Sequence, residues 1–217
     1  METITTDLEK ITITTTPTYI FNQQLSDEEE KYIKDQTEKI KKYENILRDK
    51  NMVETGSYFG LFSIFLSQFA NTVYCFEPDR LLFNQLCGNI YINKIENILP
   101  FNYGLDQIEG KTTMIRYLSD QKESEKLNEI KEPVYLQTLD SFQVKNIGLI
   151  ILNTNELNTI LGSLKTLYDN NFPVIMVNKD VSSNNERYKG LYQVLHNLEY
   201  SYIEDGDFVV FTRKILI

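Results

Sequence analysis

From residue 51 the chain alternates short, nearly continuous apolar runs with amphipathic stretches, and no other feature restricts its fold as strongly. The strand-like runs are "NMVE", "NTVYCFE", "NILPFN", "IGLIILN" and "FPVIMVN". Helix-like stretches lie near 59–69, 80–93, 155–169 and 184–198. Strands that are apolar on both faces and separated by helices form a parallel sheet covered on both sides. The last segment, "YSYIEDGDFVVFTRK", instead shows two alternating strands around an Asp-Gly turn, the signature of a hairpin. The expected fold class is α/β: a doubly wound, mostly parallel seven-strand sheet with a C-terminal antiparallel hairpin.

The flanking segments extend this frame. Residues 1–25 are rich in threonine and read as an N-terminal arm, extended or an edge strand, with one domain over 26–217. Ser26 and Glu29 have the spacing of a capping box, and Ile33, Ile40, Tyr43 and Leu47 recur at helical intervals. Residues 118–132, "LSDQKESEKLNEIKE", read as a charged connection. No apolar run approaches the roughly 20 residues of a membrane span, so no membrane span is expected. The first ten residues, "METITTDLEK", are polar and acidic, unlike a secretory signal, which implies a cytoplasmic protein. Cys75 and Cys87 then read as buried reduced thiols. The net charge of −9 argues against nucleic acid as the main partner, because duplex binding needs a basic surface.

The stretch "MVETGSYFGLFSIFLSQFANTVYCFEPD" carries the chemistry. In an open parallel sheet, ligands bind beyond the carboxyl ends of the strands, where strand order reverses. The first strand ends at Glu54, and the turn after it runs Thr55, Gly56, Ser57, Tyr58, Phe59, Gly60. Gly56 permits close approach of the backbone to a ligand, and Gly60 lets the following helix sit tight on the sheet. Glu77 ends the next strand, where an acid can accept hydrogen bonds from both ribose hydroxyls. The turn is not G-x-G-x-x-G, and an acid at Glu54 would repel a pyrophosphate. It suits a cation, such as the amino group of a methionine-derived cofactor, so two acids and a glycine turn point to S-adenosylmethionine. The plainer alternative makes Glu54 a solvated strand end and Glu77 a helix cap for "PDRLLFNQL".

"VETGSYFGLFS" followed by "VYCFEPDRLLFNQLCGNIYIN" resembles the FkbM family of S-adenosylmethionine-dependent methyltransferases. Glu54, Gly56 and Gly60 match the first element of that family's pattern, and Phe76, Glu77 and Pro78 the second. Asn89 and Asn93 match a third. "NYGLDQIEGK", with Asn102, Gly104 and Gly110, and "LQTLDSF" are similar to later elements. The resemblance spans roughly 50–212 and implies a Rossmann-like class I methyltransferase fold. It places Glu54, Gly56, Ser57, Tyr58, Gly60, Phe76, Glu77, Asn102 and Gly104 around S-adenosylmethionine, with Tyr58 at the family's asparagine position.

The pattern breaks at "IGLIILNTNEL". Where the family has a lysine and an aspartate in this strand, Ile151 and Asn153 stand, and Asn178 replaces a frequent glutamate after the next strand. By the resemblance, Asn153 would orient an acceptor and Glu156 could replace a family acid. Methylation of a hydroxyl needs alignment and some way to lose a proton, and an asparagine cannot take one at neutral pH. The only histidine, His196, falls on a late helix and reads as a helix-face residue. The resemblance implies an O-methyltransferase acting on a hydroxyl of a small molecule or glycan. The competing readings are a catalytically degenerate protein that keeps the fold for binding or structure, and a nucleotide- or sugar-binding enzyme of another class.

Overall fold

Apolar runs that fill both faces of a strand demand two helical layers, and the chain supplies them. The computed structural model of the protein describes residues 4–5, 10–11, 27–117, 129–179 and 188–213. A short antiparallel ladder joins β1 (Ile4–Thr5) to β2 (Lys10–Ile11), and helix α1 covers Asp27–Lys41. A first strand–helix series then runs β3 (Asn51–Thr55), α2 (Leu61–Leu66), β4 (Val73–Phe76), α3 (Arg80–Ile92) and β5 (Ile98–Phe101). After it come β6 (Gly104–Leu105), β7 (Gly110–Tyr117), β8 (Glu129–Gln137) and the single turn of α4 (Leu139–Phe142). The second series is β9 (Ile147–Leu152), α5 (Glu156–Leu161), α6 (Leu164–Asp169), β10 (Val174–Asn178) and α7 (Lys189–Asn197). It closes with the hairpin β11 (Tyr200–Asp205) and β12 (Phe208–Arg213).

Seven strands form the main sheet in the order β11-β12-β10-β9-β3-β4-β5. Strands β3, β4, β5, β9 and β10 are parallel, and β12 is antiparallel to both β10 and β11. The chain builds outward from β3 through β4 to β5, then returns to the other side of β3 with β9. Strand order therefore reverses between β3 and β9, which fixes where a ligand cleft belongs.

The period of two along each strand divides the core. Met52, Cys75, Ile151, Met176 and Val210 face α1, α2 and α3, packing on Ile40, Phe62, Phe65 and Leu86. Val53, Phe76, Ile150, Leu152, Val177 and Phe211 face α5, α6 and α7, packing on Ile160, Leu167, Leu191 and Leu195. Helix α1 and the turn after it also reach the hairpin: the Tyr43 hydroxyl donates to Asp205, Lys39 pairs with Asp207, and Gln36 Nε2 donates to Asp207 at 3.2 Å. Ile40, Tyr43 and Leu47 are buried, while Ser26 and the Ile33 side chain lie outside the described residues.

The structure differs from the sequence expectation in three places. Residues 129–132 belong to β8, which pairs with β7 from Gly110↔Leu136 to Tyr117↔Glu129, so the charged stretch is partly strand. With β6, these form a second, three-stranded sheet that the apolar-run criterion overlooked because its strands alternate polar and apolar residues. The expected helix over 155–169 is two helices, separated at Gly162 and Ser163. At Gly162 a Cβ would sit 2.0 Å from the Asp106 carbonyl oxygen, so the helix pair and the turn after β6 pack backbone on backbone.

Gly162→Ala should therefore destabilise the protein by about 3 kcal/mol or more, in the manner of overpacked sites. Gly88, inside α3, has no atom within 4 Å of an added Cβ. Gly88→Ala should stabilise by roughly 0.5–1 kcal/mol through helix propensity. Urea titration of both variants measures the contrast; equal effects would contradict the packing described.

Candidate functional site

The carboxyl ends of β3 and β9 meet in register, Glu54 opposite Ile151 and Thr55 opposite Leu152. Glu54 points toward α2 and is only 1% exposed. A buried carboxylate needs donors, and two side chains provide them. Ser63, the one polar residue of the buried helix α2, donates its hydroxyl to Glu54 Oε2. Asn153, the first residue after β9, donates Nδ2 to Glu54 Oε1 at 3.0 Å and to the Gly56 carbonyl at 3.1 Å. Behind Ser63, the Cys75 thiol donates to the serine oxygen, extending a buried chain Cys75–Ser63–Glu54–Asn153. Burial pushes the Glu54 carboxyl up to about 7, and the hydrogen bonds from Ser63 and Asn153 hold it from rising further.

The turn after β3 wraps this carboxylate. Gly56 has φ +63° and Gly60 φ +93°, conformations side chains rarely adopt. A Cβ at Gly56 would lie 2.7 Å from Thr154 Oγ1, so the turn lies tight against the end of β9. Tyr58 takes φ +50° despite its side chain. Its strain is held by Glu77, whose Oε2 accepts the Tyr58 N–H at 2.8 Å while Oε1 accepts the Asp79 N–H at 2.9 Å. Burial raises the Glu77 carboxyl above its ordinary value, against those two amide hydrogen bonds. Asn89 secures the far side of the turn by donating to the Phe59 carbonyl at 2.8 Å.

Glu54, Ser57, Tyr58, Asn153 and Asn178 line a cavity of about 230 Å³, walled by Phe59, Leu61 and Phe62. Asn153 Oδ1 is buried beside it and has no hydrogen-bond partner among the described residues. Two acceptors, the Glu54 carboxylate and Asn153 Oδ1, thus stand together in one cavity wall. That pair of acceptors fits a positively charged hydrogen-bond donor.

The other expected site residues stand apart from this cavity lining. Phe76 is fully buried and packs on Phe101 and Phe142, centroids 5.1 and 4.8 Å away. Asn102 Nδ2 ties down the loop after β4, donating to the carbonyls of Glu77 at 2.8 Å and Pro78 at 3.2 Å. Gly104 makes room for Leu136, which would lie 2.9 Å from a Cβ there. Glu156 is buried in the first turn of α5. Glu77 braces the turn from behind, and Asp79, not Glu77, caps α3 by accepting from the Leu81 and Leu82 amides. Sequence reasoning missed Ser63 and Cys75. The signal was available: a serine in "LFSIFL", a helix otherwise wholly apolar, requires a buried partner. Of the two cysteines, both free, Cys75 is buried and Cys87 half-buried.

No protein-family model matches the chain, and no curated protein matches it in sequence. Solved structures do share its fold. An rRNA methylase from Streptococcus thermophilus superposes with a TM-score of 0.54 at 13% identity, covering 82% of this chain and 95% of its own. A proposed methyltransferase from Streptococcus mutans, solved in complex with SAH, gives 0.53 at 12% identity over 79% of this chain and 95% of its own. Precorrin 8W decarboxylase from Methanobacterium thermoautotrophicum gives 0.54 at 11% identity over 92% and 94%. The doubly wound sheet with its terminal hairpin is thus that of known Rossmann-like methyltransferase structures. Among the described residues no helix is long and apolar enough to cross a membrane.

Because Glu54 holds its proton more tightly folded than unfolded, its contribution to stability is full below about pH 4.5 and is lost as pH rises through about 7. Glu54→Gln should stabilise the protein at pH 8 by up to about 3 kcal/mol, since each pKa unit corresponds to about 1.4 kcal/mol. The gain should vanish near pH 4. Thermal melts of both proteins across that range test it; a gain independent of pH would contradict the burial of an ionisable group there.

Proposed function

We propose that the chain binds S-adenosylmethionine in the Glu54 cavity and transfers its methyl group to a hydroxyl of a small molecule or glycan. One observation carries this reading: Asn153 Oδ1 is buried without a partner beside the Glu54 carboxylate, at the point where strand order reverses. An ammonium group set between them would satisfy Asn153 and neutralise Glu54. The FkbM resemblance, over roughly residues 50–212, supports the same assignment, and we take residues 26–217 as the methyltransferase-like unit. The net charge of −9 favours an uncharged acceptor over a nucleic acid, although the proteins of similar fold include an rRNA methylase and a second RNA methyltransferase.

In this reading each residue has a definite task. Glu54 and Asn153 receive the cofactor's amino group, and Ser63 keeps the carboxylate aimed at it. Gly56, Ser57 and Gly60 let the backbone pass close to the ligand. Glu77, by fixing Tyr58, shapes the wall on the ribose side, and its carboxylate retains acceptor capacity beyond the two amides it already binds. Phe76, Asn102 and Gly104 hold that wall in place from the core. The bound cofactor supplies a methyl group on a cationic sulfur. Asn178, which also lines the cavity, would orient an acceptor oxygen, whereas Glu156 is buried in α5 outside the cavity lining.

Asn153 is committed to Glu54, which favours the second reading, a catalytically degenerate protein that binds the cofactor without efficient transfer. General base assistance typically contributes about 10²–10⁴-fold, so without it only a faint activity would survive. An acid placed here by Asn153→Asp would not supply a free base. An aspartate would stand about 3.0 Å from the Glu54 oxygen and share a proton with it rather than act as a free base.

Calorimetric titration tests the proposal. The unmodified protein should bind both S-adenosylmethionine and S-adenosylhomocysteine. Glu54→Gln and Glu77→Ala should each weaken binding by about tenfold or more, as loss of a charge-assisted contact of roughly 1.5–3 kcal/mol requires. Absence of binding to either compound would overturn the proposal. With binding established, a transfer assay on hydroxylated sugars and lipids separates the two readings. Robust turnover selects the enzyme, and traces that Asn153→Asp does not raise select the binder.

A further inference from the structure

On the opposite face of the sheet, α7 and the edge strand β11 enclose a second cavity of about 480 Å³. Its origin is legible in two spacings. Tyr188, Tyr192 and His196 recur every four residues, which aligns them on one side of α7. Tyr200, Tyr202 and Glu204 recur every two, which aligns them on one face of β11. Helix and strand pack against each other, so the two ladders face across the cleft, with Phe211 of β12 as its floor. The Glu54 cavity opens on the α2 side, where Phe62 packs, so the two sites are separated by the sheet.

We infer that this cleft is a binding site for a neutral carbohydrate. Tyr192 and Tyr202 meet nearly at right angles, centroids 4.8 Å apart and planes 88° apart, and Tyr192 stands at 70° to Phe211. Perpendicular rings form a corner rather than a slot. A flat nucleobase is best held between parallel faces, whereas a puckered sugar ring can lay its C–H faces on two walls at once. Polar groups line the same cleft: Gln193 donates Nε2 to Asn197 at 3.0 Å and keeps its carbonyl oxygen as an acceptor, His196 both donates and accepts in its neutral form, and Glu204, paired with Lys179 at 2.8 Å, keeps acceptor capacity. Vicinal hydroxyls, each both donor and acceptor, match such a mixed set. The anionic side chain among the described lining residues, Glu204, is already paired with Lys179, which leaves it little pull on a cation and favours a neutral ligand. Burial keeps the Tyr192 phenol above its ordinary pKa, so it remains a donor at neutral pH. The cleft has the size of a small-molecule site, which typically runs to roughly 300–1,000 Å³. It also gives the single histidine of the chain a place in a site.

Saturation-transfer NMR on the full chain tests the inference, using methyl glycosides of glucose, galactose, mannose and N-acetylglucosamine, with uracil as the planar alternative. At least one glycoside should receive saturation, chiefly at its ring C–H protons. Tyr202 is 51% exposed and its removal should not unfold the sheet, so Tyr202→Ala should weaken that glycoside roughly tenfold. Glu204→Gln should weaken it less, and Glu54→Gln should leave it unchanged because Glu54 lies across the sheet. No saturation of any glycoside, equal saturation in Tyr202→Ala, or preference for uracil would each overturn the inference. Loss on Glu54→Gln would move the sugar to the other cavity and overturn it as well.

Discussion

The organisation of the candidate site depends on one buried carboxylate. Glu54 lies next to last in β3, among the buried Met52, Val53 and Thr55, and the cavity beside it is its route to water. Everything adjacent is arranged to hold it: a serine in an otherwise apolar helix, a thiol behind that serine, and an asparagine from the neighbouring strand. Ionised and alone in an apolar core, such a group would cost several kcal/mol. The chain instead sets its proton affinity near neutrality and leaves a second acceptor, Asn153 Oδ1, at its side. A stability-driven core would contain neither, which is why this cluster, rather than the fold, carries the functional reading.

The second acid acts at one remove. Glu77 receives two backbone amides, one from the strained Tyr58 and one from the start of the next helix, so a single side chain couples β4 to the turn after β3. Asn89 donates to the Phe59 carbonyl within that turn, and Asn102 ties down the loop after β4 that carries Glu77. The result is a turn held in an unfavourable backbone conformation by its surroundings, as happens where a loop is shaped for a ligand. A ligand entering it would find most of its contacts already ordered and would lose little further entropy on binding.

Much of the sheet was legible because its strands are short and apolar on both faces, and that pattern has few other solutions. "IGLIILN" could be nothing but a central strand, and every residue of β9 is buried. What escaped depended on contacts between distant segments. The break at Gly162 follows from the approach of Asp106, more than fifty residues earlier, which local periodicity cannot register. The β7–β8 sheet escaped because alternating strands with charged residues look like a loop when only apolar runs are sought. At the site, Glu54, Gly56 and Gly60 were legible from their spacing, since the turn imposes local conformations. The role of Glu77 as a brace for Tyr58 was not, because carboxylates that bind backbone and carboxylates that bind ribose share one sequence signature.

The central claim is that Glu54 accepts a cationic group when the cavity is filled. An ammonium beside the carboxyl would lower its proton affinity from near neutrality to well below it, so binding must expel a proton. The direct measurement is titration calorimetry of S-adenosylmethionine at pH 7 in buffers of different ionisation enthalpy. At that pH the free carboxyl is near half-protonated, so binding should release about half a proton per site, and Glu54→Gln should abolish the release. Binding with no proton exchange, or with the same exchange in Glu54→Gln, would contradict the assignment of Glu54 as the cation's partner.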